Sequence, residues 1–308
     1  MRFRRVLLFL AVTWLCQSGN LGLAASRFSL SLSRNSDVPA LFVSKVTSRK
    51  TAIFNAKFME IGSFAAPGGV AAVDRDGYFY DTVNNQLLVF APPYKSKPHV
   101  LTWGAGYNLY GVAIDPKSKG FAVVVATGGS LPTLSVDFFR SRNTYAPCAV
   151  VQVPTAGLLD GAAFDREGKL FSLDYGDSQG GGYMGMISIA GGCSANTYSY
   201  NAFRNFSYFV GEVAVDKNDD FALQSGRVLY VFSHPSYGRF GQPKQETQLG
   251  NVAFDSLSSD GLHFWGSTYP LGGSGMLSEY AYPQGGKPII TIAFKDPAYV
   301  AVFPPLAP

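Results

Sequence analysis

The sequence has 308 residues, enough for one large domain or two ordinary ones, and it is rich in aromatic residues (14%) and glycine (34) but holds only 15% charged residues. This balance favours a packed all-β protein with many tight turns and excludes a disordered chain. Three of the 25 basic residues lie in the first five positions, which leaves 22 against 21 acidic residues. A net charge near +1 without a basic stripe excludes nucleic acid as a partner.

The first 25 residues have the pattern of a secretory signal peptide. Three arginines precede an apolar run over residues 6–16, and small residues lead to a predicted cleavage site after Ala24 or Ala25. The run is too short for a membrane anchor, and no later stretch reaches about 18 uninterrupted apolar residues. We therefore expect a secreted or periplasmic protein without a transmembrane segment, in which residues 26–39 form an N-terminal linker.

A short phrase of apolar residue, Ala, apolar residue and Asp recurs along the rest of the chain. Its five complete copies end at Asp74, Asp115, Asp165, Asp216 and Asp255. These residues are 41, 50, 51 and 39 positions apart, which suits four-stranded blades of roughly 40–50 residues. Each phrase predicts a short first strand. A Gly stands three or more residues after most copies, so we interpret each Asp as the cap of a turn and not as part of a catalytic carboxylate ring.

Three further strands are predicted after each phrase, for example at residues 78–80, 86–90 and 99–103 in the first complete unit. The two ends of the chain complement each other. A sixth phrase at residues 299–303 ends in Phe303 and has no strands after it, whereas residues 40–43, 52–55 and 58–64 read as second, third and fourth strands. Pairing them closes a ring and protects its edges. The predicted fold is therefore all-β, a single six-bladed β-propeller over residues 40–305, with a tail at 306–308.

The repeat resembles the NHL-repeat group of six-bladed β-propellers. The sequence GVAID at residues 111–115 and the sequence NNQLLVFAPP at residues 84–93 carry the likeness best, and it extends over about residues 40–305. The chain departs from the pattern at Phe303, which replaces the Asp, and at an insertion around residues 141–147. The resemblance implies the fold and is almost uninformative about function.

In propellers of this kind, the loops that lead into the first strands share one face with the loops between second and third strands. The position four before each repeat Asp should lie near the mouth of the central channel on that face. With neighbouring aromatic residues, this gives a set of candidate ligand-binding residues: Tyr107, Tyr110, Asp160, Tyr208, Phe209, Glu212, Asn251, Tyr269 and Tyr299. Tyrosine is typical of recognition surfaces. We expect binding of a protein, peptide or glycan, without catalysis or a cofactor.

Two alternatives remain. Gluconolactonase-type propellers, which this chain resembles in fold only, hold a divalent cation on oxygen ligands from several blades. Asp160, Glu212 and Asn251 have the ligand types that calcium prefers, although the Glu-Gly-Pro motif of that group is absent. This alternative is a divalent-metal-dependent lactonase or hydrolase. The second is a structural protein of the cell envelope. The three histidines lie at non-equivalent positions of the repeat, so histidine-bound zinc is not expected.

Two cysteines lie beyond the signal peptide, Cys148 and Cys193. An oxidising compartment would be compatible with one disulfide between them, but the sequence alone cannot show that the two side chains meet. Both the disulfide and a pair of separate thiols therefore remain open at this point.

Overall fold

The computed structural model describes most of the chain beyond the N-terminal segment. The described residues are 40–45, 48–55, 57–128, 133–153, 159–174, 185–203, 212–234, 241–268, 275–293 and 298–305. They form six four-stranded antiparallel sheets, which confirms the predicted six-bladed propeller. The predicted signal peptide, the linker and the tail at 306–308 lie outside the described residues. Within the described ranges, no helix is long and apolar enough to cross a membrane.

The first three blades follow the chain from its N-terminal strands. Blade 1 contains, in sheet order, β24 (Ala298–Phe303), β1 (Ala40–Lys45), β2 (Lys50–Phe54) and β3 (Glu60–Ala65). Blade 2 contains β4 (Ala71–Val73), β5 (Phe79–Val83), β6 (Gln86–Phe90) and β7 (His99–Thr102). Blade 3 contains β8 (Tyr107–Ile114), β9 (Phe121–Thr127), β10 (Leu134–Phe139) and β11 (Ala149–Gln152).

The other three blades repeat this order. Blade 4 contains β12 (Leu159–Phe164), β13 (Leu170–Asp174), β14 (Gly185–Ile189) and β15 (Ser199–Ala202), with a 3₁₀ turn at Gly192–Ser194. Blade 5 contains β16 (Ala214–Val215), β17 (Phe221–Ser225), β18 (Val228–Phe232) and β19 (Gln245–Gln248). Blade 6 contains β20 (Val252–Leu257), β21 (His263–Thr268), β22 (Met276–Ala281) and β23 (Gly285–Ala293).

The two ends of the chain close the ring as the sequence predicts. Strand β24 pairs antiparallel with β1 along its whole length, from Ala40 opposite Phe303 to Lys45 opposite Ala298. The first strands β24, β4, β8, β12, β16 and β20 are the edge strands of their sheets, and nearly all of them contact the first strand of the next blade. They are therefore the inner strands, which surround the central channel of the propeller.

The hydrophobic core lies between the blades. Each of the six buried clusters combines apolar side chains from two neighbouring blades, including the pair formed by blades 6 and 1. Between blades 1 and 2, for example, Phe42 and Phe79 are both fully buried, with ring centroids 5.4 Å apart. A fully buried Phe side chain stabilises the fold by roughly 1.5–3 kcal/mol. The inner strands are therefore held from behind by packed aromatic layers.

Repeat Asp residues cap the turns between first and second strands in blades 2, 4 and 5. In each case Oδ1 accepts the backbone N–H groups of the residues two and four positions later; the capping residues are Asp74, Asp165 and Asp216. Asp115 in blade 3 accepts from Lys117 N and a hydroxyl instead. In the turn of blade 5, Asp219 takes the left-handed position (φ 66°) that Gly77 and Gly168 take elsewhere.

The second oxygen of the same three caps joins one blade to the next. The partner comes from the connection between third and fourth strands of the following blade in every case. The pairs are Arg142 with Asp74 (3.1 Å), His234 with Asp165 (3.0 Å) and Tyr282 with Asp216 (3.1 Å). Blades 3 and 4 are joined covalently, because Cys148 and Cys193 form a disulfide with Cα atoms 5.1 Å apart. The face opposite the predicted channel mouth is thus tied together around much of the ring.

Candidate functional site

Three inner strands are distorted by β-bulges where they line the channel. The pairing register shifts at Tyr110 in β8, at Gly161 and Ala162 in β12, and at Asp255 in β20. A bulge places two residues opposite one and re-aims their side chains, and bulges are over-represented next to functional sites. These shifts occur in the inner strands of three of the six blades, blades 3, 4 and 6.

The interpretation of Asp255 as a turn cap is wrong. The backbone of Ser258 makes the turn hydrogen bonds of blade 6, accepting from Gly261 N and donating to His263 O. Asp255 lies three residues earlier, inside β20, and is only 8% exposed. Its Oδ1 accepts the hydroxyl of Ser267 at 3.2 Å, whereas its buried Oδ2 has no hydrogen-bond partner within the described part of the chain.

A signal for this difference is present in the sequence. Gly77 follows Asp74 by three residues, as Gly168 follows Asp165, but Gly261 follows Asp255 by six. The turn of blade 6 therefore begins at residue 258, and the Asp of the repeated phrase falls inside the strand. The bulge at Asp255 then accommodates the displaced residue.

Glu212 lies two residues before β16, and its carboxyl lies next to Gly161 of blade 4. Its backbone N–H donates to Phe254 O at 3.1 Å, so the residue is also attached to blade 6. A Cβ atom added at Gly161 would lie 2.6 Å from Glu212 Oε2, and Gly161 has φ +61°. Glycine is therefore required at 161 both for the backbone conformation and for the close approach of the Glu212 carboxyl. Ser172 stabilises this bulge by donating its hydroxyl to Gly161 O at 2.7 Å.

Three carboxyl groups lie at this side of the channel, and the charges of two of them affect the third. We call Asp160, Glu212 and Asp255 the channel carboxylates. Burial raises the pKa of Glu212 well above its usual value, and the charges of Asp160 and Asp255 raise it further. Burial also raises the pKa of Asp255 to about 8, against the opposing effect of the hydrogen bonds from Ser267. Burial therefore disfavours the charged forms of Glu212 and Asp255, and the neighbouring carboxylates disfavour the charged form of Glu212 further.

Tyr110 is the aromatic residue of this group. It lies at the bulge of β8 and is partly buried. Burial raises the pKa of its hydroxyl, and the nearby charge of Asp160 adds to the effect. Asp160 is itself partly buried, and its Oδ1 accepts the N–H of Gly161 at 3.0 Å. A phenol and a carboxylate from adjacent blades thus lie next to each other in the same site.

The other predicted residues are more scattered. Tyr107 at the start of β8 and Tyr299 in β24 are each 38% exposed, and Asn251 is exposed in the turn that precedes β20. Tyr208, Phe209 and Tyr269 lie outside the described residues. The structure therefore groups Tyr110, Asp160 and Glu212 of the predicted set and adds Asp255, which the sequence interpretation assigned to a turn.

A separate cluster has the composition of a metal site. Oxygen atoms of Asp165 and Asp219 and a ring nitrogen of His234 lie within 4.8 Å of one another, and among the described residues this is the one such group of His, Cys, Asp and Glu. However, His234 takes the position that Arg142 and Tyr282 take elsewhere, and those residues join blades by hydrogen bonds without a metal. We interpret this cluster as another contact between blades.

Comparison with known proteins extends the description of the fold. No protein-family model matches the chain, and no curated protein matches it. Among solved structures, it is similar to a protein of unknown function from Bacteroides caccae (10% identity, TM-score 0.62, covering 86% of this chain and 99% of that one). It is also similar to a chain of a nidogen/laminin complex (12%, 0.62, 86% and 98%) and to a luciferin-regenerating enzyme (14%, 0.51, 75% and 77%). At these identities the likeness shows the propeller fold alone.

Proposed function

We propose that this chain is an exported, NHL-repeat-like recognition propeller that binds a ligand or partner through its channel mouth without catalysis. The observation that carries this proposal is the position of the channel carboxylates on neighbouring inner strands. They do not cap turns, the charges of Asp160 and Asp255 raise the pKa of Glu212, and one oxygen of Asp255 lacks a hydrogen-bond partner among the described residues. Buried polar groups left in this state weaken a fold, so a function outside folding accounts for them best.

Two features support export. The N-terminal 25 residues have the basic, apolar and small-residue order of a signal peptide. The disulfide between Cys148 and Cys193 suits an oxidising compartment, because cytosolic thiols are normally kept reduced. Both features favour a secreted or periplasmic location.

The proposal excludes catalysis for a structural reason. Within the described residues, each histidine is engaged away from the channel carboxylates. His234 contacts Asp165, His263 pairs with Asp260 at 2.7 Å, and His99 packs against Tyr145 with ring centroids 4.5 Å apart. An imidazole next to the carboxylates would have favoured general acid–base chemistry. The proposal needs no cofactor.

The test is binding to glycan and peptide arrays by the purified protein and two matched variants. Glu212→Gln removes a channel carboxylate and keeps its shape. Glu246→Gln makes the same change on an exposed residue of β19, the outer strand of blade 5. We expect array ligands that Glu212→Gln loses and Glu246→Gln retains. If both variants bind the same ligands as the wild type, the channel mouth is not the binding site and the proposal is wrong.

A divalent-metal-dependent hydrolase of the gluconolactonase type is the second candidate, and the extra carboxylate of Asp255 favours it. Asn251 is exposed in a turn, so the oxygen ligands would be Asp160, Glu212 and Asp255. This candidate predicts that EDTA lowers the melting temperature and that calcium, magnesium or manganese restores it. A ligand at 100 times its dissociation constant stabilises by roughly 2.7 kcal/mol, which a melting experiment detects. A structural protein of the cell envelope, the third candidate, predicts that neither metals nor channel variants have an effect.

A further inference from the structure

We propose that the channel mouth recognises an organic cation, and that the group it binds is a primary ammonium or a guanidinium. This inference rests on the proposed recognition function and specifies its ligand. Such a group can belong to a small diamine or to a Lys or Arg side chain of a partner, and the chemistry of recognition is the same in both cases.

Within the described ranges, Glu212 and Asp255 have no positively charged partner. Among the described residues, the ion pairs of Lys and Arg involve Asp74, Asp76 and Asp220, and none involves Glu212 or Asp255. The carboxyl of Asp255 is more than nine-tenths buried, and its Oδ2 has no partner within the described ranges. A buried acceptor without a donor is costly, and a cationic donor from outside would relieve both the orphaned oxygen and the repulsion by Glu212.

The acceptor atoms of this site are widely spaced. Unlike the ligand atoms of Asp165, Asp219 and His234, those of the three channel carboxylates do not all lie within 4.8 Å of one another. In this arrangement one metal ion does not contact all three carboxyl groups, so the metal-dependent alternative requires these side chains to move. An ammonium carries three N–H donors and a guanidinium carries five. Either group can therefore donate hydrogen bonds to several acceptors that lie on different sides of it.

The site also has an aromatic neighbour. The charge of Asp160 reaches the hydroxyl of Tyr110, whose pKa it raises, and Tyr107 on the same strand is 38% exposed. An organic cation is attracted to the face of a tyrosine ring as well as to a carboxylate. A hydrated inorganic ion gains less from such a surface, because its water shell separates it from the ring.

The experiment is isothermal titration calorimetry of the full protein with matched probes. Nα-acetyl-lysine methylamide presents the ammonium, and Nα-acetyl-norleucine methylamide is the neutral analogue that lacks it. Cadaverine represents a small diamine, and arginine methylamide presents the guanidinium. Calcium chloride serves as the inorganic comparison.

We expect at least one organic cation to bind, with the norleucine analogue weaker by about tenfold or more, because a charge-assisted hydrogen bond is lost. Glu212→Gln and Asp255→Asn should each weaken binding by a similar factor, and Glu246→Gln should not. A preference for cadaverine would indicate a small ligand, and a preference for the amino-acid amides would indicate a partner side chain.

Three results would overturn the inference: equal binding of the neutral analogue, binding that Glu212→Gln leaves unchanged, or failure of all the organic cations to bind, whether or not calcium binds. The array experiment separates this failure from that of the proposed function. A neutral array ligand that is lost in Glu212→Gln would leave the recognition function standing and refute only the cationic ligand. If neither arrays nor cations depend on Glu212, both are wrong.

Discussion

Replacement of Asp255 by asparagine should stabilise the protein at neutral and alkaline pH. Asparagine is nearly the same shape and keeps a carbonyl oxygen at the position of Oδ1, which accepts the hydroxyl of Ser267. Its NH₂ group replaces Oδ2, which has no partner among the described residues. The substitution therefore keeps the interactions that Asp255 makes and removes a buried ionisable group beside Glu212.

The magnitude follows from the raised pKa. Below about pH 4 both the folded and the unfolded protein hold the proton of Asp255, so this residue adds no pH dependence. Between about pH 4 and pH 8 the folded state binds a proton that the unfolded state does not, so stability falls as pH rises, by about 1.4 kcal/mol per unit. At pH 7 this amounts to about 4 kcal/mol. The gain in Asp255→Asn should be smaller, about 1–4 kcal/mol, because the buried amide also loses hydration.

The assay is urea unfolding at pH 4, 6, 7.5 and 9, followed by the fluorescence of Trp265, which is buried in the adjacent strand β21. The two proteins should have equal stability at pH 4 and diverge as pH increases. Asp216→Asn is the matched control. Asp216 accepts two backbone N–H groups and the hydroxyl of Tyr282, so its replacement should destabilise the protein by about 1 kcal/mol or more.

Two results would refute this reasoning. If Asp255→Asn destabilises the protein at pH 7.5 as Asp216→Asn does, Asp255 makes stabilising interactions that its position in β20 does not provide. If the two curves are parallel from pH 4 to pH 9, the carboxyl of Asp255 titrates at an ordinary pKa. In either case the buried carboxyl of Asp255 would no longer support a cationic ligand.

Three further predictions follow from the same contacts. Replacing Cys148 and Cys193 by serine should lower the free energy of unfolding by about 2–4 kcal/mol, measured by urea titration, because the disulfide closes a long loop. Asp81→Asn should flatten the pH dependence of stability between about pH 4 and pH 7, since burial raises the pKa of this fully buried carboxyl to about 7 and wild-type stability falls as pH rises through that window. Arg142→Met should destabilise by about 1–2 kcal/mol in low salt and less in high salt, because the guanidinium pairs with Asp74 at 3.1 Å; equal losses at both salt concentrations would contradict the ionic origin.

The fold could be predicted because a short apolar-Ala-apolar phrase recurs in every blade. An Asp followed three residues later by Gly specifies a turn, as at Asp74 and Gly77, and the hydrogen bonds from residues two and four positions later confirm the role of the Asp. Ring closure followed from counting strands, since the last phrase at residues 299–303 required partners that only the N-terminal segment could supply. These inferences depend on short-range chemistry and on strand order, both of which a sequence contains.

The site depended on two features that a repeat pattern conceals. The turn of blade 6 begins three residues late, so Asp255 looks like the other repeat Asp residues but lies in a bulged strand. The approach of Glu212 to Gly161 is set by the distance between two blades, which no local sequence signal specifies. Asp219 likewise takes a left-handed turn position that glycine takes in neighbouring blades, and this placed it near His234.

The stability and binding effects of Asp255 should have opposite signs, and this opposition is the strongest reason to regard it as functional. At Asp74, Asp165 and Asp216, hydrogen bonds to the turn and to the next blade offset the free-energy cost of burying the carboxyl. Asp255 raises the pKa of Glu212 and has its own raised to about 8, so it weakens the fold at neutral pH. Residues that reduce stability are characteristic of binding and active sites. Asp255→Asn should therefore give a protein that melts at a higher temperature yet no longer binds organic cations, whereas a purely structural role would change both properties in the same direction.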